Sequence, residues 1–346
     1  MSHKIAYMAG LLLVFSAIIG ATMRMDFRRH MPSLEGATGW INTKPLTTAD
    51  LRGKVVLVEF WTYTCINWRR TLPYVRAWAE KYRDAGLVVL AVSTPEFSFE
   101  KDIENVRMAA KSMQMEFPIA IDNNYGVWRA FNNEYWPAMY FIDAKGEIRD
   151  HQFGEGNYER SEKIIQQLLA EAGAKNIPGG ISPVKPEGAE VAADLSTLKS
   201  GETYVGYGRA DNFSSPGGAV DDKPHTYVLP RGLELNQWAL SGSWALGEEA
   251  ARSNAAGSRI VFKFHARDVN LILGPVRHDV PVRFRVTIDG MPPGVAHGVD
   301  VDASGNGVIG DQRMYQLVRQ EGVIADREIT IEFPDAGAEV FDFTFG

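Results

Sequence analysis

Two short runs, "KVVLVEFW" from Lys54 and "LVVLAVS" from Leu87, constrain the fold of this chain most. Successive side chains of a strand point to opposite faces, so an unbroken apolar, β-branched run must be covered on both sides. Helices supply that cover in α/β folds, and the sequence provides them. Between the two runs Leu72, Val75, Trp78, Ala79 and Tyr82 recur at helical spacing, and "DAGL" ends the helix with Gly86 at the left-handed cap position. The charged amphipathic segment "FEKDIENVRMAAKSM" follows, then the strand-like "FPIAID". "AMYFID" and "EIRDHQF" read as a hairpin turned at "AKG", and "ERSEKIIQQLLAEAG" as a closing helix. A mixed central sheet with flanking helices is expected over residues 33–173.

The texture changes at residue 174. Proline and glycine punctuate residues 174–200 and no apolar face is sustained, which reads as a linker. Residues 201–346 then carry short alternating strands, among them "RIVFKFHA", "VNLILG", "VRFRVTIDG", "REITIEF" and "VFDFTF". Their spacing and the lack of helical runs predict an all-β sandwich. A net charge of −7, with Lys and Arg interleaved among acids, gives no basic face for phosphate, so no nucleic-acid partner is expected.

Residues 1–32 form a third region. Lys4 precedes "IAYMAGLLLVFSAIIGATM", an apolar run of the length that crosses a bilayer as a helix. Arg24, Arg28 and Arg29 follow it as a stop-transfer flank would, whereas "IIGA", ending at Ala21, offers a signal-cleavage site. Both an N-terminal membrane anchor and a cleaved signal place the remainder outside the cytoplasm.

The chain contains one cysteine, which excludes an internal disulfide. Cys65 follows a buried strand and precedes the helix through Trp78. Unpaired N–H groups and the dipole at a helix N-terminus favour the thiolate, the form that attacks disulfides and peroxides. An inert, buried core thiol is the alternative.

The surroundings of Cys65 resemble thioredoxin-like proteins of the TlpA type, in which a "VxFW" strand runs into Cys-x-x-Cys. Here the stretch is "VEFWTYTCINW", with Pro73 where that family kinks its helix. Glu59 stands where thioredoxins carry a buried acid, and "WPAMYFID" matches the cis-proline loop. The resemblance therefore places Pro137 beside Cys65 and turns the Trp136 backbone towards it, ready to pair with a substrate strand. "WTYTCIN", "FNNEYWPAMYFID", "ETYVGYGRADNF" and "HGVDVDASGNG" extend the similarity to the extracytoplasmic half of DipZ-type thiol-disulfide proteins. In that family a thioredoxin-like domain precedes a jelly roll resembling a carbohydrate-binding module, and a multi-span membrane electron-transfer domain precedes both. The resemblance implies Cys65, Glu59 and Pro137 as catalytic residues, with Thr62, Thr64, Trp68, Tyr135 and Trp136 contacting substrate. Its implied partners are protein or small-molecule disulfides and thiols, a membrane electron donor, and a glycan or protein ligand for the β-rich domain.

Trp68 replaces the family's second cysteine. A mixed disulfide formed by Cys65 then has no internal rescuer and awaits an outside thiol. Three functions stay open: a monothiol oxidoreductase, a one-cysteine peroxidase in which Thr62 helps to hold peroxide and Arg129 or Arg149 assists, and a non-catalytic peptide- or glycan-binding scaffold. Neither a cofactor nor a metal is expected. "DVDASGNGVIGD" approaches calcium-loop spacing but reads better as a polar hairpin loop, and the histidines lack ligand spacing.

Overall fold

A computed structural model describes residues 30–346. The N-terminal apolar run lies outside the described residues, and no helix among those described is long and apolar enough to cross a membrane.

The first half is the α/β layer structure that the two apolar runs demand. Its elements are β1 (Gly39–Ile41), β2 (Val55–Trp61), α1 (Ile66–Lys81), β3 (Leu87–Ser93), α2 (Ile103–Ser112), β4 (Ile119–Ile121), α3 (Gly126–Phe131), β5 (Ala138–Ile142), β6 (Ile148–Phe153) and α4 (Tyr158–Glu171). Six strands join in the order β1-β4-β3-β2-β5-β6. β2 pairs in parallel with β3 and antiparallel with β5, so the sheet is mixed. Every residue of β2 is buried, as a central strand covered on both faces requires. One cluster, with Trp61, Trp68, Trp78 and Ile165, fills the α1 and α4 side. Another, with Phe60, Val127, Phe131 and Tyr140, fills the α3 side.

The second half is all antiparallel. It comprises β7 (Thr203–Tyr204), β8 (Pro224–Tyr227), β9 (Trp238–Leu246), β10 (Ala251–Ser253), β11 (Ser258–Phe264), β12 (Asp268–Pro275), β13 (Val282–Ile288), β14 (Asn306–Ile309), β15 (Arg313–Arg319), β16 (Arg327–Phe333) and β17 (Ala338–Phe345). Nine strands run β14-β13-β16-β11-β9-β10-β17-β12-β15, with β7 added on β17 and β8 on β9. Short β10 bridges β9 and β17, so the all-β region expected from the sequence is a continuous, curled antiparallel sheet. It curls over a core that includes Trp238, Trp244, Phe262 and Phe343.

Residues 174–200 are a strap rather than a loose connection. Ala189 is buried in the α1-side core, Glu190 makes a two-pronged contact with Arg76 at 3.0 Å, and Ser182 donates to Glu162. The halves also share apolar packing: the Phe341 ring lies 5.5 Å from Phe97 and 4.9 Å from Phe99.

Candidate functional site

Cys65 is the N-cap residue of α1, with an extended backbone and no capping side chain. It follows β2 through the turn Thr62–Thr64, and its carbonyl accepts the Arg69 N–H at 3.0 Å. Across from it the Trp136–Pro137 peptide is cis, and the Cys65 thiol donates to the Trp136 carbonyl at 3.8 Å. The sequence brings these residues together by simple means. β2 and β5 are neighbours, so the end of one strand and the start of the other meet at the same edge.

The polar surroundings of the thiol are acidic, which is the main surprise of the site. Glu100 is buried. Its carboxylate accepts Thr64 Oγ1 at 2.7 Å, Glu96 N at 2.6 Å and Phe97 N at 3.0 Å. Burial, abetted by Glu96, raises the Glu100 pKa to about 7 against the hydrogen bonds from Thr62 and Thr64. Glu96 accepts the Tyr204 hydroxyl at 2.5 Å and Arg209 at 3.0 Å, both from the β-rich half. Desolvation, reinforced by the charges of Glu96 and Glu202, pushes the Cys65 thiol well above its usual range; the backbone N–H groups of Trp68 and Asn67 oppose them. The helix N-terminus favours a thiolate by ~1 kcal/mol, and partial burial with the charges of Glu96 and Glu202 acts against it. These surroundings therefore oppose ionisation of the thiol, against the pull of the helix N-terminus.

Glu59 lies mid-way along β2, fully buried, with neither carboxylate oxygen hydrogen-bonded. Burial raises its pKa to about 8, the Trp68 indole N–H facing it in opposition. Trp68 belongs to the core cluster against which Cys65 packs. Its ring is buried in the core at 4.4 Å from Trp61. Thr62 and Thr64 are likewise buried, and both hydroxyls turn to Glu100. Three of the five positions assigned to substrate contact, Thr62 and Thr64 in the turn and Trp68 in α1, thus present almost no side chain to solvent. Trp136 is half-buried. Tyr135 is 48% exposed and stacks at 4.9 Å on Phe153 of β6, which stacks on His151 in turn. Arg129 donates to Asn124 and Arg149 is held by Asp143 and Glu171, so neither is turned towards the thiol.

Sequence reasoning missed Glu96 and Glu202 as charges acting on Cys65, and Glu100 and Arg209 as the groups around them. The "TPEF" loop after β3 was the visible signal, since residues following a buried strand end at the same edge as the nucleophile. Arg209 and Glu202 sit on the far side of the chain and carried no local signal. Asp302, from the suspected calcium loop, accepts the N–H groups of Ser304 and Asn306, and Asp300 pairs with Arg313 at 2.7 Å, as a structural loop does.

Two family profiles match the chain: the AhpC/TSA family over residues 28–151, and the thioredoxin like C-terminal domain over residues 200–346. Protein DipZ of Mycobacterium tuberculosis is 38% identical over 321 residues, which cover 91% of this chain and 42% of DipZ. Thiol-disulfide oxidoreductase YkuV of Bacillus subtilis is 31% identical over 147 residues, covering 42% of this chain and 99% of YkuV. The chain belongs to the thioredoxin-like thiol-disulfide oxidoreductase family. A solution structure of a thioredoxin-like protein in the oxidized form is 33% identical, with a TM-score of 0.39, covering 42% of this chain and 99% of that one. This member of the family spans less than half the length of DipZ. It retains the cis-proline loop, and its only cysteine is Cys65.

Proposed function

We propose that the protein is a monothiol thiol-disulfide oxidoreductase acting through Cys65. The observation that carries this reading is the placement of Cys65 at the start of α1, 3.8 Å from the Trp136 carbonyl that precedes the cis proline. An incoming disulfide R–S–S–R′ is attacked by the Cys65 sulfur, which forms Cys65–S–S–R. The departing R′–S⁻ takes up the thiol proton. A second thiol R″–SH then cleaves the mixed disulfide, giving R–S–S–R″ and restoring Cys65–SH. Pro137 positions the Trp136 backbone and Tyr135 presents an exposed ring to the substrate, whereas Glu59, Thr62, Thr64 and Trp68 act from within the fold. The surroundings of Cys65 disfavour the thiolate, and a partner that displaces or neutralises Glu96 and Glu202 favours it.

In this reading residues 33–173 form the catalytic unit, 174–200 its strap and 201–346 an accessory unit. The apolar N-terminal run anchors or exports the protein, so that it works outside the cytoplasm on protein or small-molecule disulfides, with a membrane protein as electron source.

Reduction of insulin, or of a glutathione mixed disulfide, tests the activity. Wild-type protein is expected to turn over with an added thiol and Cys65→Ser is expected to be inactive. Equal rates in both, or capture from cell envelopes of only unmodified Cys65, overturn it. A second reading, a non-catalytic peptide- or glycan-binding scaffold with the β-rich unit as reader, is favoured by the buried Trp68 at the place of a second thiol and by surroundings that disfavour ionised Cys65. Ligand binding that is unchanged in Cys65→Ser, without turnover, selects it. Against the peroxidase reading, Arg129 and Arg149 are held by other groups and the Thr62 hydroxyl is turned to Glu100.

A further inference from the structure

The halves meet on Glu96, in the loop after β3, which accepts the Tyr204 hydroxyl at 2.5 Å and Arg209 at 3.0 Å from the β-rich half. The same hydroxyl lies 3.1 Å from Glu202 Oε2. A phenol carries one hydrogen, so it donates to only one of the two carboxyls at a time. The other contact is a hydrogen bond only when that carboxyl holds a proton of its own and donates it to the phenol oxygen. Glu202 fits this part. Desolvation of its carboxyl, then the charge of Glu96, raises its pKa to about 6 against Tyr204 and Arg209.

Asp342 adds a third carboxyl. It stands opposite Tyr204 in the β17–β7 register, is fully buried, and neither of its oxygens has a hydrogen-bond partner. The charges that act on it are Glu202, just before β7, Glu96 of the loop after β3, and Arg209, with the Thr203 N–H also facing it. From the other side β12 sets the apolar Ile272 opposite. Arg209 is already engaged with Glu96, and its guanidinium lies over the Tyr204 ring at 3.6 Å. Three carboxyls thus face one guanidinium, and a buried carboxyl without a partner is more stable neutral than ionised. Burial, then the charges of Glu202 and Glu96, accordingly raises the Asp342 pKa well above the usual carboxylate range. Phe341 against Phe97 and Phe99 gives the same junction an apolar part that does not titrate.

We propose that the junction of the two halves is a proton-held latch, whose closed form keeps protons on Asp342 and Glu202 that the open form releases. Once the halves part, both carboxyls meet water and titrate near their ordinary values. The closed form binds more protons, so rising pH favours opening, by about tenfold per pH unit for each proton released. The latch does not depend on the redox reading of Cys65.

Hydrogen–deuterium exchange of the full chain tests this, read by mass spectrometry from pH 5 to pH 8 with labelling times scaled to the chemical exchange rate. Protection of a peptide across residues 202–210 should fall by about tenfold or more over that range. A peptide from β11, inside the β-rich core, should keep its protection. The 202–210 peptide decides, because Glu100 titrates in the loop on the other side of the junction. Asp342→Asn keeps the shape and cannot ionise, and it should flatten most of the dependence. Glu202→Gln changes an exposed residue and serves as the second arm should Asp342→Asn fail to fold; it should flatten the part below about pH 6. Protection that does not change with pH in the wild type, or that falls equally in the wild type and in the folded variants, overturns the latch. So does a fall shared in step by the β11 peptide, because the whole molecule is then unfolding.

Discussion

Glu59 shows how a single residue can be kept without its usual task. The group that faces it is the Trp68 indole, at the position where the resemblance expects a second cysteine. The carboxyl is buried with no hydrogen bond to either oxygen, and burial lifts its pKa from 4.5 to about 8. The unfolded chain releases this proton near the ordinary value, and the folded chain holds it until about pH 8. Between those limits the unfolded state binds fewer protons, so stability falls as pH rises, by up to ~1.4 kcal/mol per pH unit. Glu59→Gln keeps the shape and cannot ionise. Its stability should match the wild type near pH 5 and exceed it by roughly 2 kcal/mol or more at pH 8. Urea midpoints at pH 5, 6.5 and 8 check this, and parallel curves for the two proteins would show that the carboxyl is satisfied after all. Glu100, raised to about 7, adds a slope of the same sign to both proteins and cancels in the comparison.

At the scale of elements, periodicity made most of the first half legible. The runs at Val55 and Leu87 became β2 and β3, the Leu72 to Tyr82 spacing became the body of α1, and "AKG" turned the β5–β6 hairpin. The one-turn helix α3 and three-residue β1 were too short to leave a period. The position of the thiol was legible for the same reason, since a strand, a turn and a helix in succession place it. Its acidity was not, because Glu96 comes from a loop and Glu202 from beyond the strap. The strap reads in the sequence as a linker, and its contacts left no pattern there because they are made by single residues rather than by a face. Glu162 on α4 carries the largest of them, accepting Lys81 at 2.8 Å, Tyr82 at 2.7 Å, and Ser182 Oγ at 2.7 Å. Burial would raise the Glu162 pKa, but Lys81 and the Ser182 and Tyr82 donors outweigh it and hold the group at about 2. This stability is present above pH 4.5 and is lost as the pH falls towards 2. Glu162→Gln should cost about 2 kcal/mol at pH 7, and that deficit should shrink towards zero near pH 2. A deficit independent of pH in denaturant titrations would mean that packing, not charge, joins α4 to the strap.

For the whole molecule the question is whether the two halves act as one. Phe341 of β17 is buried in the same core cluster as Trp61 and Trp68, and its ring contacts Phe97 and Phe99 of the loop after β3. That loop also carries Glu96, which Tyr204 and Arg209 hold from the β-rich half. The acidic wall around Cys65 is therefore assembled by the junction of the halves. Its effect on the thiol should depend on that junction staying closed. Phe341→Ala removes a buried ring between them and should cost about 3–5 kcal/mol, as large-to-small core changes do. Because the loss falls at the junction, each half keeps its own core. Scanning calorimetry should therefore change from one transition to two, the half that relied on Phe341 melting first. The chemical consequence is the more telling one. With Glu202 and the Tyr204–Arg209 clasp no longer fixed against the loop, the thiol gains water and loses a neighbouring negative charge, so its pKa falls. Iodoacetamide should then label Cys65 several-fold faster at pH 8 in Phe341→Ala than in the wild type, at a temperature below the first transition. Faster labelling with a single, lowered transition would mean that the molecule loosens everywhere. Two transitions with unchanged labelling would mean that the thiol is held neutral by its own half alone.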